Sequence, residues 1–430
     1  MRKISLFAIL LSATSFAAPV QDGETTIVQD DQTSLVTITY GFKNEPAIVT
    51  VDVQTNGPSG YASVDQTWLT NVVGDVNRKI AAGKNKTITW QPFATVPGRF
   101  RAKDARAVVT LHATNSPPDY IVLDLSDKTS AGEASVRFFP NAGQIPLGVT
   151  DRIYKTRYYV MRRIHAAGVV WPMGAAVRDS ERTGNEIRHS VALPEDYYLG
   201  IYEVTQGHMR NVGLASAVNA QCNTGVANAD YCPAAGVDSS KGITHTNIRG
   251  GNNWPAAKDH SYANAWAYLQ YFRNRCGAKF LFDIPTDAQW EYAARAGAYA
   301  TSYAHGKNSS DGIGDYAWYA GNVPQGTTIQ EVGTRLPNAW GLYDMFGNAA
   351  EWCLDNFLYN CGMNLADYDD VDFAGPAKDY QTGTDYKVVR GGSYADEATC
   401  LRSAYRLNKT RGTMSPTLGF RLFIQAVYPY

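Results

Sequence analysis

Gly341-Leu342-Tyr343-Asp344-Met345-Phe346-Gly347-Asn348-Ala349-Ala350-Glu351-Trp352 is the densest stretch of this chain. Two carboxylates, Asp344 and Glu351, flank small residues. Gly347 and Ala349 leave the backbone open, so their carbonyl oxygens can turn toward a cation. Two side chains plus two main-chain oxygens suit Ca²⁺, a hard ion that takes oxygen ligands in flexible geometry. The acidic spacing is not that of an EF-hand. A tight turn in which Asp344 or Asn348 bonds its own backbone explains the same residues. On chemistry alone, the turn is the simpler reading.

Working outward, Pro285-Thr286-Asp287-Ala288-Gln289-Trp290 reads as a helix start. Thr286 is a natural N-cap and Gln289 completes a capping box. Trp290, Ala293 and Ala294 share a face, Arg295 complements the negative end of the helix dipole, and Gly297 stops the helix. A second helix is expected from about Ser261 to Arg275. Tyr262, Ala265, Trp266, Leu269, Phe272 and Cys276 fall near its apolar face, with Gly277 after it. Downstream, Val388-Val389-Arg390-Gly391-Gly392-Ser393-Tyr394 runs a strand into a glycine pair. Ser393 can then point into a cleft or sit in a turn. Leu401-Arg402-Ser403-Ala404-Tyr405-Arg406 and Gly419-Phe420-Arg421 space arginines among aromatics, a pattern of buried ion-pair and stacking contacts. The chain has no Gly-x-Ser-x-Gly elbow, no Walker loop and no His-Glu-x-x-His, and its seven histidines are scattered.

These stretches, preceded by Trp171-Pro172-Met173-Gly174 and Tyr202-Glu203-Val204-Thr205-Gln206, stand in a specific order. From about residue 150 to 427 the chain resembles the sulfatase-modifying factor, or formylglycine-generating enzyme, family. The resemblance implies an irregular, C-type-lectin-like α+β domain with structural Ca²⁺. It assigns that ion to the side chains of Asp344 and Glu351 and the carbonyls of Gly347 and Ala349, which turns the balance toward the calcium reading.

The resemblance speaks against copper. Members that oxidise a sulfatase cysteine to formylglycine bind copper through two cysteines just after Gly-Gly-Ser. Here Asp396 stands at the first, and Cys400 lies near the second. One thiol with a hard carboxylate is a poor Cu(I) site. Ser393 matches the family's active-site serine, so Ser393 and Cys400 are the candidate catalytic residues. No cofactor-binding residue beyond these is assigned.

Residues 20–127 read as an all-β domain. Val36–Tyr40, Ala47–Val53, Lys86–Trp90 and Ala107–Leu111 alternate with period two between Gly, Pro, Asn and Asp breaks, as in a β-sandwich of immunoglobulin or fibronectin type. Residues 128–150 read as a connector and 151–427 as the second domain. Residues 1–17 read as an export signal, with Arg2 and Lys3, an apolar run from Leu6 to Leu11, and small residues before a cut at Ala17 or Ala18.

The 39 Lys+Arg balance 40 Asp+Glu, which gives nucleic acid no basic footprint. No later segment is apolar and long enough to span a membrane. Six cysteines in an exported chain favour disulfides. Cys222–Cys232 and Cys353–Cys361 would close short loops, leaving Cys276 with Cys400. The expectation is a secreted, periplasmic or cell-surface protein. It acts as a binding or surface module for a protein or glycan ligand, or as a structural part. The alternative is an oxidoreductase acting on a protein or small thiol.

Overall fold

The computed structural model describes residues 17–69, 72–92, 100–126, 135–176, 179–217, 228–236, 242–250, 266–276, 280–303, 305–326, 328–357, 372–373 and 386–425. The expected export signal therefore lies outside the described residues, apart from its last position. The chain divides into two compact units, Met1–Ser116 and Pro117–Tyr430.

The first unit is built from β1 (Val20–Gln21), β2 (Thr26–Gln29), β3 (Val36–Lys43), β4 (Ala47–Gly57), β5 (Gly60–Ser63), β6 (Val73–Gly74), β7 (Arg78–Ile80), β8 (Gly83–Trp90) and β9 (Ala105–Ala113). β3 pairs antiparallel with β1, β2 and β8, and β8 with β6. In the other sheet β4 pairs with β5, β7 and β9. Period-two alternation puts Val36, Ile38 and Tyr40 of β3 inward beside Ile88 and Trp90 of β8, with Ile38 opposite Ile88. Val49 and Val53 of β4 and Ile80 of β7 join the same apolar core. Two sheets closing on one core make this unit a β-sandwich.

The second unit opens with β10 (Tyr120–Asp124), β11 (Val136–Phe139), β12 (Tyr158–Ile164), β13 (Val169–Met173), β14 (His189–Leu193), β15 (Tyr197–Gly200) and the short α1 (Gln206–Asn211). It continues through α2 (His245–Arg249), α3 (Tyr268–Arg275), β16 (Phe282–Asp283) and α4 (Asp287–Ala294). Its last elements are β17 (Ala350–Asn356), β18 (Asp372–Phe373), β19 (Tyr386–Arg390), β20 (Leu407–Thr410), β21 (Leu418–Gly419) and β22 (Phe423–Gln425). A six-stranded sheet runs β11-β10-β12-β15-β22-β16; smaller sheets run β13-β14-β18 and β20-β19-β17-β21. Short strands and few helices make it an α+β unit, and much of its chain is loop.

The unit boundary differs from the sequence reading. Tyr120–Asp124, assigned above to the sandwich, pairs with β11 and β12 of the second unit. The described part of the stretch read above as a connector, residues 135–150, belongs to the second unit, and Val136–Phe139 is a strand of its sheet. α4 forms as its capping box dictates: the Gln289 amide donates to Thr286 Oγ1 at 3.2 Å and the Thr286 amide to Gln289 Oε1 at 2.9 Å. α3 begins at Tyr268, with Leu269, Phe272 and Cys276 buried. Trp266 precedes it and is 48% exposed, so it is not on the core face expected of it. Residues 261–265 lie outside the described residues.

Candidate functional site

Asp344, Gly347 and Asn348 all take positive φ, at 51°, 72° and 54°. Gly347 is required there, because a Cβ would overlap the Trp318 carbonyl. That carbonyl accepts the Asn348 amide at 2.8 Å. Glu203, just ahead of α1, holds the loop from within. Its Oε1 accepts the Ala349 amide at 2.8 Å and its Oε2 accepts Asn348 Nδ2 at 3.0 Å. Asp344 Oδ2 accepts the Gly333 amide at 2.6 Å. Asp344 Oδ1 is buried and meets no donor among the described residues.

Glu351, at the start of β17, faces Arg421. Its Oε1 accepts Arg421 Nη2 at 2.7 Å and its Oε2 accepts Trp290 Nε1 at 2.8 Å. Arg421 also donates to the carbonyls of Gly200, at 2.8 Å, and Tyr343, at 2.8 Å. Glu203, Asp344, Glu351 and Arg421 are all buried. Among the described residues Arg421 pairs with Glu351 alone, while Glu203 and Asp344 feel its charge without touching it. Burial, then the charges of Asp344 and Glu351, push Glu203 well above the usual carboxylate range. Burial likewise pushes Asp344 up to about 6.

This electrostatic excess fits a hard cation, and Asp344 Oδ1 is an oxygen available to one. Glu351 fits less simply, because it could reach an ion only through lone pairs that Arg421 and Trp290 leave. Among the described residues no three His, Cys, Asp or Glu side chains form a metal-holding group. A cation here would depend on main-chain oxygens such as those of Gly347 and Ala349.

The second candidate group is a closed turn. Ser393 is buried, its amide and Oγ donating to Asp396 Oδ2 at 2.8 and 2.6 Å. Ser393 therefore faces Asp396 rather than an open cleft. Cys400 sits half-buried in the 3₁₀ turn Ala398–Leu401. Burial first, then a hydrogen bond with Cys400, raises the Tyr405 hydroxyl above its ordinary range. A carboxylate locked onto a serine, beside one thiol, does not fit a copper–thiolate centre.

The expected disulfides also require correction. Cys232, Cys353 and Cys400 are free thiols, and no bond joins Cys276 to Cys400. Cys276 and Cys353 are fully buried, whereas Cys400 lies half-open. Burial pushes Cys232 up to about 12 and Cys353 well above the usual thiol range, which leaves both inert. Cys222 and Cys361 lie outside the described residues.

The arginines are structural, as their spacing suggested. Arg390, fully buried at the end of β19, pairs with Asp287 and with Glu291 Oε2 at 2.6 Å. It also donates to the carbonyls of Ser403 at 2.8 Å and Tyr405 at 3.0 Å. Arg402 grips Glu186 at 2.5 and 3.0 Å. Arg295 binds Glu291 at 2.8 Å rather than serving only the helix end. Sequence reasoning quoted Glu203 and Asp287 within motifs, and Glu291 directly follows one, but none was given a role. Their signal was their place beside the motif aromatics, without a visible partner. Glu186, Asp179 and Glu181 carried no sequence signal.

Comparison with known proteins gives a family for most of the second unit. The family model described as "Sulfatase-modifying factor enzyme 1-like domain" matches residues 161–426. A formylglycine-generating enzyme of Streptomyces coelicolor is 33% identical over 175 residues, covering 37% of this chain and 50% of that protein. The serine/threonine-protein kinase pkn1 of Chlamydia pneumoniae is 32% identical over 138 residues, covering 32% of this chain and 20% of that protein. The chain thus spans half or less of the length of these relatives. Among solved structures, that of PvdO from Pseudomonas aeruginosa matches with a TM-score of 0.45 and 20% identity, covering 62% of this chain and 94% of that one.

Proposed function

Since the chain belongs to the sulfatase-modifying factor enzyme 1-like family, we propose that it is an exported member acting as a binding or surface module, without the family's copper–cysteine formylglycine chemistry. The observation that carries this reading is the Ser393–Asp396 turn. The carboxylate standing where a thiolate would be needed is held by two donors from Ser393. The oxidoreductase alternative rests on Ser393, and that hydroxyl is spent on Asp396. Within the same reading, Ca²⁺ at Asp344, with Glu351 and the carbonyls of Gly347 and Ala349, stabilises the lectin-like domain. The uncompensated carboxylates around Arg421 support it. No helix among the described residues is long and apolar enough to cross a membrane.

The test incubates copper-loaded protein with a Cys-x-Pro-x-Arg peptide and oxygen, and reads aldehyde by mass spectrometry. No turnover above a copper-only control is expected; turnover would restore the enzyme reading. A glycan array and a pull-down from culture supernatant should return a ligand. Adding Ca²⁺ should raise the unfolding midpoint and EDTA lower it, with the response reduced in Asp344→Ala. Sequencing the mature N-terminus by mass spectrometry checks export, since an intact Met1 on cytoplasmic protein would contradict it.

A further inference from the structure

Within the second unit, the loop after β13 and the loop after α4 border a half-open cavity of about 370 Å³, lined by Asp179, Glu181, Tyr299, Thr301, Ser302 and Asn308 among others. Its volume falls in the range of small-molecule sites, roughly 300–1,000 Å³, yet its wall is polar where such sites are usually apolar. We infer that this cavity binds a neutral, polyhydroxylated ligand, a saccharide. The inference rests on the binding-module reading above and gives it a location and a ligand class.

The wall is fixed by its own hydrogen bonds, so little ordering remains for a ligand to impose. Asp179 Oδ2 accepts Ser302 Oγ at 3.0 Å and its Oδ1 accepts the Glu181 amide at 3.1 Å. Asn308 Oδ1 accepts the Ser302 amide at 3.0 Å. That bond sets which way the Asn308 amide points, leaving Nδ2 as its outward donor, with no acceptor among the described residues. Glu181 Oε2 accepts the Tyr303 hydroxyl at 3.2 Å, while its Oε1 meets no donor among the described residues. The cavity thus carries a spare acceptor at Glu181 and a spare donor at Asn308. A diol needs both, since each hydroxyl donates once and accepts once or more.

Charge argues for a neutral ligand over a cation. Arg402, whose first grip is on Glu186, also lies 3.8 Å from Asp179 and 3.5 Å from Glu181, which tempers both carboxylates. Arg295 lines the same cavity, and Arg188 places its guanidinium 5.9 Å from the Tyr299 ring centre. Tyr299 itself is 58% exposed, a large apolar surface beside a polar cavity. A sugar ring matches that combination, with a C–H face for the aromatic ring and hydroxyl edges for the polar wall.

Saturation-transfer NMR on the full chain tests this, with glucose, galactose, N-acetylglucosamine, maltose and cellobiose as probes and spermidine as the cationic control. Transfer to at least one saccharide is expected, with at least tenfold weaker affinity in Glu181→Gln and in Asn308→Ala. Thermal midpoints of both variants should match the parent, which separates lost binding from lost fold. Silence with all five saccharides, unchanged affinity in both variants, or preference for spermidine would overturn the assignment. Saccharide binding that survives both variants removes this cavity but keeps the module reading. So does a protein partner captured by pull-down while the saccharides stay silent. If neither saccharide nor partner binds, both fall.

Discussion

Among the described residues of the sandwich, Thr50 is the one buried polar side chain, whereas the second unit buries Arg390, Arg402 and Arg421 with their carboxylates. The difference follows from where backbone hydrogen bonds go. In the sandwich, long ladders such as β3–β8 and β4–β9 satisfy the main chain, and the interior can be left to apolar side chains. The second unit is loop-rich, and its buried carbonyls need donors from elsewhere. Arg390 supplies Ser403 and Tyr405, Arg421 supplies Gly200 and Tyr343, and Arg295 supplies Thr301 and Gly174. A guanidinium carries five donors in a fixed fork, so in this unit arginines do the work that neighbouring strands do in the other.

The comparison breaks most severely at Arg390. Arg390→Met keeps much of the volume but takes one partner each from Asp287 and Glu291, which keep Arg406 and Arg295, and leaves two carbonyls without this donor; it should cost about 3–5 kcal/mol. Denaturant unfolding that shows under 1 kcal/mol would mean the network is dispensable. In the sandwich the matching experiment is a cavity. Ile88→Ala should cost about 2–4 kcal/mol, while Ile88→Leu, which keeps volume, should cost under about 1.5 kcal/mol. If the two cost the same, packing is not what holds that core.

A pH-dependent effect sharpens the contrast further. Burial lowers the fully buried His208 to about 4 from 6.5. Its Nδ1 accepts the Thr205 amide at 3.1 Å, so its Nε2 donates toward the Tyr158 carbonyl at 3.0 Å. Between those pH values the unfolded chain binds the proton and the folded one does not. This contribution is therefore complete above pH 6.5 and is lost as pH falls toward 4, by on the order of 3 kcal/mol at most. His208→Gln should flatten that part of the pH–stability curve; an unchanged slope would exclude His208 as its source. The smallest effect is the helix cap: Thr286→Ala should cost about 1 kcal/mol, read as a midpoint shift in urea.

What was legible in the sequence follows the same division. β3, β8 and β9 announced themselves because residues facing the core alternate with more exposed ones; β4 was read from its alternating valines, although its first four residues are all buried. β10 did not, because all five of its residues are buried. A strand covered on both faces loses its alternation, and so the boundary at 116 was missed. α4 was legible from local capping chemistry. At the candidate site, a sharp turn at Asp344 could be read from local chemistry, although Asp344 and Asn348 bond Gly333, Gln330 and Glu203 rather than their own backbone; the carboxylate at Asp396 in place of a thiolate followed from the family resemblance. Arg421's hold on Glu351 could not, because the pair is set by tertiary folding and leaves no local pattern. The same holds for Glu203 beneath Ala349.

β22 has a consequence for how the chain is made. It lies between β15 and β16, with Phe423 opposite both Leu199 and Asp283. A sheet whose inner strand is synthesised last cannot close while the chain is still emerging, and contacts so distant along the chain form slowly. Until residues 418–425 arrive, Glu351 also lacks Arg421. The sandwich, by contrast, holds all its strands within residues 20–113 and can fold while translation continues. The second unit can therefore complete this sheet only once residues 418–425 are available, and a late closure lengthens the interval in which its apolar surface is open to aggregation.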